Sequence, residues 1–440
     1  MQRLLFSKVE VWLVALIVLF GLVAALLFGS ALVSAFESRY ALSRTERAVI
    51  AVAEVPLSLR KLLQSDVSAM RAYQDGRIGG EAGWTFAPGA AKVQGYHLLS
   101  RFDGDRKVPV VELVSLADGS VRYSWSPDID RLLADANRHT RAGKVSNWKT
   151  ARYRPYHPDL LPDGSLILKD TEAPLLRVDA CGARLWINDS AVFHHSMEPD
   201  GEGGYWIPTV IEPPSLDHVP EVFLDEALAR IDLDGRILEE TSVAKVLIAN
   251  GFRFLLQPPG PFNPDQMHLN DIQPVLSDGP YWKKGDLFLS FRHVSTLMLY
   301  RPSTGRIVWH KSGPWQGQHD IDILDDHRIA VFDNGAYNPG DFGRVDGVSE
   351  VVEYDFATET VSHPWKHAFE RERVRALYEG LYTYLPGGGL LVEDHNSGRI
   401  LIFDAEGRTV ASYLNRASDG SVFTLGWGRH RRRLSRHPEN

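Results

Sequence analysis

The chain has 440 residues, with 48 lysines and arginines against 56 aspartates and glutamates, a net charge of −8, and 44% hydrophobic residues. That balance excludes wholesale disorder, and a mildly acidic chain offers no dominant positive surface to neutralise nucleic-acid phosphates. Its one cysteine, Cys181, excludes an intrachain disulfide and a cysteine-built zinc or iron–sulfur site.

From the N-terminus, an uncharged apolar run extends from Val11 to Phe36. At about 1.5 Å per residue it is long enough to cross a hydrocarbon core of about 30 Å. Residues 1–37 are therefore expected to be an uncleaved membrane anchor. The competing reading is a signal peptide with Val33-Ser34-Ala35 as its cleavage site, but such apolar regions normally span about 7–15 residues. Arg3 and Lys8 on one side and Arg39, Arg44 and Arg47 on the other leave the positive-inside rule nearly silent. Residues 38–80 read as a helical stalk or linker. Ser43 and Glu46 form a capping box ahead of Ala48, Val49, Ile50 and Val52, Pro56 ends or kinks that helix, and Leu59, Leu62 and Leu63 resume it. The stalk either packs on the main domain or forms a membrane-surface or oligomerising helix.

From Tyr96 to Asn415 no long amphipathic helix stands out. A two-part pattern recurs instead: an apolar strand after a tight turn, as in Leu161-Pro162-Asp163-Gly164-Ser165-Leu166, then a hairpin through Asp-x-x-Gly. The hairpins are Asp179–Gly182, Asp232–Gly235 and Asp404–Gly407, with related turns at Asp118-Gly119, Arg301–Gly305 and Asp355–Thr358. These six turns recur every ~58 residues on average, and a repeat of about that length built from four short strands is a propeller blade. The expected fold is all-β, a six-bladed β-propeller over residues 81–420, preceded by the transmembrane helix and short helical stalk. Extra loops are expected around Glu212–Glu226 and Ala336–Val348.

The chemistry lies at the start of each unit's first strand. His157, the pair His194-His195, His268 and His319 place a histidine about six or seven residues before the turn in four consecutive units. In a propeller the innermost strands line a central channel, so equivalent positions converge on one funnel. A core explanation would favour Val or Leu there, because a buried imidazole needs partners. His157, followed by a proline, is the member best suited to a structural role. Three histidines first suggest a metal site. Arg292, in Ser290-Phe291-Arg292-His293, opposes a cation and favours an oxyanion, and with Asn270 and neutral imidazoles makes a site for a tetrahedral anion. A histidine can attack such a centre while an arginine and a second histidine stabilise its oxygens and a third protonates the departing oxygen. Alternation along a strand turns Asp320 away from the face of His319.

The stretches His268-Leu269-Asn270-Asp271, Leu289-Ser290-Phe291-Arg292-His293-Val294-Ser295 and Gly317-Gln318-His319-Asp320, with Trp309-His310 and Phe332-Asp333-Asn334-Gly335, resemble the bacterial PAPS-independent arylsulfate sulfotransferase family. The resemblance runs from about Tyr153 to Asn415. It implies a six-bladed, exported protein that needs no cofactor or metal and moves a sulfuryl group from an aryl sulfate donor to a phenolic acceptor in a ping-pong reaction. Position by position, His319 matches the nucleophile that becomes sulfohistidine, and Arg292 matches the sulfate-binding arginine. His268 and Asn270 match the pair contacting the sulfuryl and phenolic oxygens. The pair His194-His195 matches a further active-site histidine, with His195 favoured by its count from the turn. Thr383 is the nearest match to a late hydroxyl residue. The chain departs from relatives that carry a disulfide, since Cys181 has no partner.

Two rival readings remain. One is a non-catalytic propeller that binds an anion or sits beside another membrane complex; the other is a quinone-cofactor dehydrogenase, whose acidic metal-binding set is not recognisable. Residues 421–440, with Arg429, Arg431, Arg432, Arg433 and Arg436, read as a basic tail, either solvated or bound to anionic lipid or an acidic partner. The expected location is the inner, cytoplasmic membrane, single-pass, with the propeller on the periplasmic side. Association with itself or with a membrane protein is left open.

Overall fold

The apolar N-terminal run is a single helix, Val11–Glu37, in the computed structural model, which describes residues 10–37, 44–45, 48–53, 70–72, 78–137, 148–260, 262–339 and 343–431. Over Val11–Ser34 the helix is long and apolar enough to cross a membrane and its apolar window is 0% buried against protein, properties a signal sequence shares. Residues 48–53 are helical. The capping pair Ser43 and Glu46, and the segment Pro56 to Leu63, lie outside the described residues.

The rest of the described chain is an all-β, propeller-like fold whose strands follow from the turn chemistry. In each Asp-x-x-Gly hairpin the carboxylate accepts backbone N–H groups beyond it while the glycine adopts the left-handed conformation that reverses the chain. Asp179 Oδ1 accepts from Cys181 and Ala183, Asp232 Oδ1 from Asp234 and Arg236, and Asp404 Oδ1 from Glu406 and Arg408, at 2.8 to 3.2 Å. Gly182, Gly235 and Gly407 have φ of 80°, 80° and 75°.

The hairpins build antiparallel sheets. Leu269–Pro274, Leu287–Phe291, Thr296–Arg301 and Arg306–Ser312 form one four-stranded sheet, and His319–Ile323, Arg328–Asp333, Glu350–Asp355 and Thr360–Ser362 form another. An eight-stranded sheet runs from Asp159–Leu160 to Ile237–Ser242. It is continuous because Val192 and Phe193 pair with Val210 and Thr209. The loop at Ala336–Val348 contains a small hairpin, Ala336–Tyr337 with Arg344–Val345. Short helices, Val243–Ala249 and Lys366–Glu372, are inserted as well.

Core packing lies between the sheets, and the strands alternate between two cores. Leu287, Leu289 and Met298 face Leu228, Val243 and Leu247. Phe288, Leu297 and Leu299, on the same two strands, face Val331, Val352 and Tyr354. Strands buried on both faces read as unbroken apolar runs, which is why the turns carried the repeat signal.

Both ends of the fold are tied across the sequence. Gly83–Phe86 pairs with Ala411–Leu414, and Arg429–Arg431 pairs with Tyr96–Leu98. Each removes an exposed strand edge. The second pairing corrects the expectation of a solvated tail from residue 421: Arg429 donates to the Met197 carbonyl oxygen and meets Glu198, and Arg431 pairs with Asp159. Buried carboxylates hold these arginines inside the fold. Residues 432–440 lie outside the described residues.

A ring of side-chain bonds stitches successive inner strands together. The Met197 N–H donates to His157 Nδ1, the Ile272 N–H to Ser196 Oγ, the Ile321 N–H to Asp271 Oδ2, and the Tyr382 N–H to Asp320 Oδ2, at 2.8 to 3.2 Å. Burial, then the Glu198 charge, push the Asp271 carboxyl well above the usual range. Asp271→Ala is therefore expected to cost about 1–3 kcal/mol of stability by orphaning the Ile321 N–H, and Asp271→Asn distinctly less. Urea unfolding of the two variants checks this; equal losses would refute the stitch.

Candidate active site

The stitch sets a common register. The residue preceding the acceptor is His195 before Ser196, Asn270 before Asp271, and His319 before Asp320. His195 and His319 therefore occupy equivalent positions, whereas His268 lies two residues before its register position and His157 is itself a stitching residue. The expected single register of four histidines does not hold, because each first strand enters the channel with its own irregularity: bulges fall between Leu269 and Asp271 and between His319 and Ile321. His195 and His268 take left-handed backbone angles, φ 51° and 56°, a costly conformation for a side-chain-bearing residue and one that concentrates at functional sites. The Lys169 ammonium donates to the His195 carbonyl oxygen and holds that turn.

His194, His195, His268, Arg292 and His319 line one cavity of about 360 Å³, together with Glu226, Asp265, Tyr378, Glu379 and others. Arg292 is the only arginine or lysine among its described lining residues. It reaches His268 because the sheet ladder continues past Phe291: the Arg292 N–H donates to the His268 carbonyl oxygen at 3.0 Å. Its Nη2 donates to the Leu377 carbonyl oxygen at 3.3 Å, and its buried Nε has no partner among the described residues. An orphaned guanidinium N–H aimed into a cavity suits an oxyanion.

His319 is 1% exposed. Its Nδ1 lies 2.8 Å from Asn334 Oδ1, and the Asn334 amide nitrogen donates to the Ala376 and Glu379 carbonyl oxygens at 2.8 and 2.7 Å. Asn334 Oδ1 must therefore accept, so Nδ1 carries the proton and Nε2 the lone pair. The Glu379 N–H donates to that lone pair at 3.2 Å, a bond that an incoming sulfur must displace. Orientation thus comes from Asn334, while Asp320 turns to Tyr382. Burial, then the Arg292 charge, hold His319 down to about 3, and burial, then His268, hold His194 down to about 3. Burial also draws His195 well below the usual value. Glu226, whose Oε1 accepts from the Leu269 N–H at 2.7 Å, is pushed well above the carboxylate range by burial and then by Asp265, which keeps its charge away from an incoming anion. Glu379 is the opposite case. Burial opposes its charge, yet Arg154, bonded at 2.8 and 3.2 Å, and His395 hold it down to about 2.

Asn270 and Thr383 are not among the lining residues. Asn270 Nδ2 donates to the Gln318 carbonyl oxygen at 2.7 Å and braces the backbone before His319. Thr383 sits along the strand Leu381–Tyr384, paired with Leu391. The chain touches the cavity at Tyr378 and Glu379, and the strand carries Thr383 onward by about 3.3 Å per residue. As to metals, Asp265, His268 and His293 offer ligand atoms within 4.8 Å of one another. His293 Nδ1 lies 2.6 Å from the Asp265 carbonyl oxygen, an acceptor only, so that nitrogen carries a proton and the ligand atom on this ring would be Nε2.

A family model for arylsulfotransferase (ASST) matches residues 157–416, a span that holds every residue lining the cavity. The chain belongs to the arylsulfotransferase family. As a sulfotransferase of that type it acts within a family whose substrates are, in general, aryl sulfates and phenols. No curated protein matches the chain. Similar solved structures include a protein of unknown function from Bacteroides caccae, at 11% identity and TM-score 0.47, covering 75% of this chain and 98% of that one. The Neurospora crassa Pan2 WD40 domain has 10% identity and TM-score 0.37, covering 74% and 83%. The Myceliophteria thermophila Swd1 β-propeller domain has 9% identity and TM-score 0.39, covering 78% and 88%.

Several residues that build this cavity and its supports carry no signal in the sequence. Asn334 falls in the segment Phe332-Asp333-Asn334-Gly335, which by itself assigns it no role, and Asp265 sits three residues before His268. Glu226, Glu379 and Lys169 give no signal, because each arrives from a distant part of the chain. The buried neutral histidines also predict acid sensitivity. His194 and His319 have depressed values in the folded chain, so their contribution is complete above about pH 6.5 and is lost as pH falls toward about 3. Thermal unfolding is expected to move down across that window by up to about 1.4 kcal/mol per pH unit per histidine. Asp271 and Glu226, whose raised values act in the opposite sense, are common to the wild type and a His194→Gln variant, so the wild type should lose more stability than that variant between pH 7 and 4; equal losses would contradict it.

Proposed function

We propose that this arylsulfotransferase transfers the sulfuryl group through His319, from an aryl sulfate ester to a phenol, while held to the inner membrane by its N-terminal helix with the propeller on the periplasmic side. The Nε2 lone pair of His319 attacks sulfur. The N–S bond forms as the S–O bond to the aryl group breaks, and the electron pair leaves on the phenolic oxygen, which takes a proton from His268. Arg292 stabilises the charge on the sulfuryl oxygens. An acceptor phenol then gives its proton to His268 and attacks sulfur, and the N–S bond breaks to restore the lone pair. Asn270 acts behind His319, as a brace.

The observation that carries this reading is the meeting of a lone-pair nitrogen on His319 with a half-satisfied guanidinium in one cavity. On the same reading the propeller has six blades, the eight-stranded sheet counting as two that share the Val192–Val210 and Phe193–Thr209 pairs. The length and apolar composition of Val11–Ser34 support the anchor. The test is intact mass after brief exposure to 4-nitrophenyl sulfate: a gain of about 80 Da, one sulfuryl group, marks the covalent intermediate. Turnover with no added mass at any time would favour direct transfer instead.

A further inference from the structure

The wall of the cavity carries a hydrogen-bond chain, and the chain has a direction. Its far end is the Thr209 carbonyl oxygen, which can only accept, so His194 Nε2, 3.3 Å away, carries a proton. His194 is neutral, so its Nδ1 is a lone pair and His195 Nδ1, 2.8 Å from it, must donate. His195 is neutral too, which leaves its Nε2 as a lone pair facing His268 Nε2 at 3.1 Å. That nitrogen must donate in its turn. The remaining nitrogen of His268, Nδ1, lies 2.6 Å from Asp265 Oδ2. Burial opposes a charge on Asp265, but the His268 hydrogen bond and charge draw it below its ordinary value, so the oxygen is a carboxylate acceptor. With Asp265 a carboxylate and His194 and His195 neutral, both nitrogens of His268 bear protons, and His268 is the one imidazolium in the sequence Asp265–His268–His195–His194–Thr209.

Asp265 is itself held in place. His293 stacks on His268 with ring centroids 4.4 Å apart and gives its Nδ1 proton to the Asp265 carbonyl oxygen at 2.6 Å.

Resting on the reading that His268 protonates the departing phenol, we infer that Asp265 is a positioning residue which, through His268, holds one transferable proton between the Nε2 atoms of His268 and His195, with His194 and the Thr209 carbonyl fixing its direction. When the S–O bond breaks, the phenolic oxygen takes the His268 Nε2 proton, and Asp265 keeps the Nδ1 proton where it is. The lone pair left on Nε2 then receives the acceptor phenol's proton in the second half of the cycle. His195 cannot supply the proton, since its Nε2 is a lone pair; it keeps the His268 proton aimed at the cavity.

The experiment uses the full chain with ¹⁵N-labelled histidine. In the wild type at pH 7, one imidazole, removed by His268→Gln, is expected to show both ring nitrogens protonated, and Asp265→Asn should abolish that signature. This spectroscopic result does not depend on turnover, so it tests the inference even if the sulfuryl-transfer reading fails, and a wild type with every cavity imidazole singly protonated would overturn it. The kinetic arm compares leaving groups. Asp265→Asn should lower kcat about 100-fold for the sulfate ester of a weakly acidic phenol and only a few-fold for 4-nitrophenyl sulfate, with KM little changed, because a stable phenolate needs no proton. An equal fall for both esters would show a merely structural role and refute the assignment.

Discussion

His319→Ala is expected to lower kcat for aryl sulfate turnover by about 10⁴-fold or more, the scale at which removing a nucleophile from a covalent mechanism acts, and to leave the protein with no added mass after exposure to donor. The reason is specific to one nitrogen. Asn334 uses its amide hydrogens on the Ala376 and Glu379 carbonyl oxygens, so its oxygen can only accept the His319 Nδ1 proton and Nε2 is left with the lone pair. Burial beside Arg292 keeps that ring neutral far below physiological pH, so the nucleophile needs no separate base. Because His268 and His319 act in one sequence of bond changes, the double variant His268→Ala, His319→Ala should be hardly slower than His319→Ala alone. Stopped-assay kinetics on the purified full chain check both statements. Residual activity within 10-fold of wild type would remove His319 from the nucleophile's role.

Arg292→Ala carries the second large effect, a fall of about 10²–10³-fold in kcat/KM, the usual consequence of losing a donor aimed at developing oxyanion charge. Arg292→Lys should recover little, because the lysine point charge cannot reproduce a planar fork that already spends one arm on the Leu377 carbonyl oxygen. A second readout separates this from a loss of packing. The Arg292 charge helps hold His319 neutral, so in Arg292→Ala the acid limb of the kcat/KM profile should move to higher pH as His319 protonates more readily. An unmoved acid limb would indicate that Arg292 does not face His319 in solution.

Much of this site was legible before folding. His319, His268, Arg292 and the His194-His195 pair stand in motifs, and the cavity collects them all. The repeat was legible through its turns, since an aspartate that caps a reversal and a glycine that takes positive φ act within a few residues of each other. The strict register does not carry through: His268 lies two residues before the position that His195 and His319 occupy. Thr383, the nearest match to a late hydroxyl residue, lies on a strand that leads away from the lining residues Tyr378 and Glu379, and Asn270 sits in register while its amide donates to the Gln318 carbonyl oxygen. His157, the member best suited to a structural role, is buried as an acceptor for the Met197 N–H. The arginines at 429 and 431 looked like a tail because their partners, Glu198 and Asp159, come from distant strands.

Local chemistry alone settled the turns, the apolar N-terminal helix and the stock of imidazoles and guanidinium groups, because each depends on neighbours within a handful of positions. Folding decided which of those imidazoles share a cavity and which nitrogen of each bears its proton. His195 and His268 lie 73 residues apart in the chain and 3.1 Å apart in space, and a proton's position follows from the acceptor opposite it. That acceptor, whether a carbonyl oxygen, a carboxylate or another ring, exists only once the strands have come together.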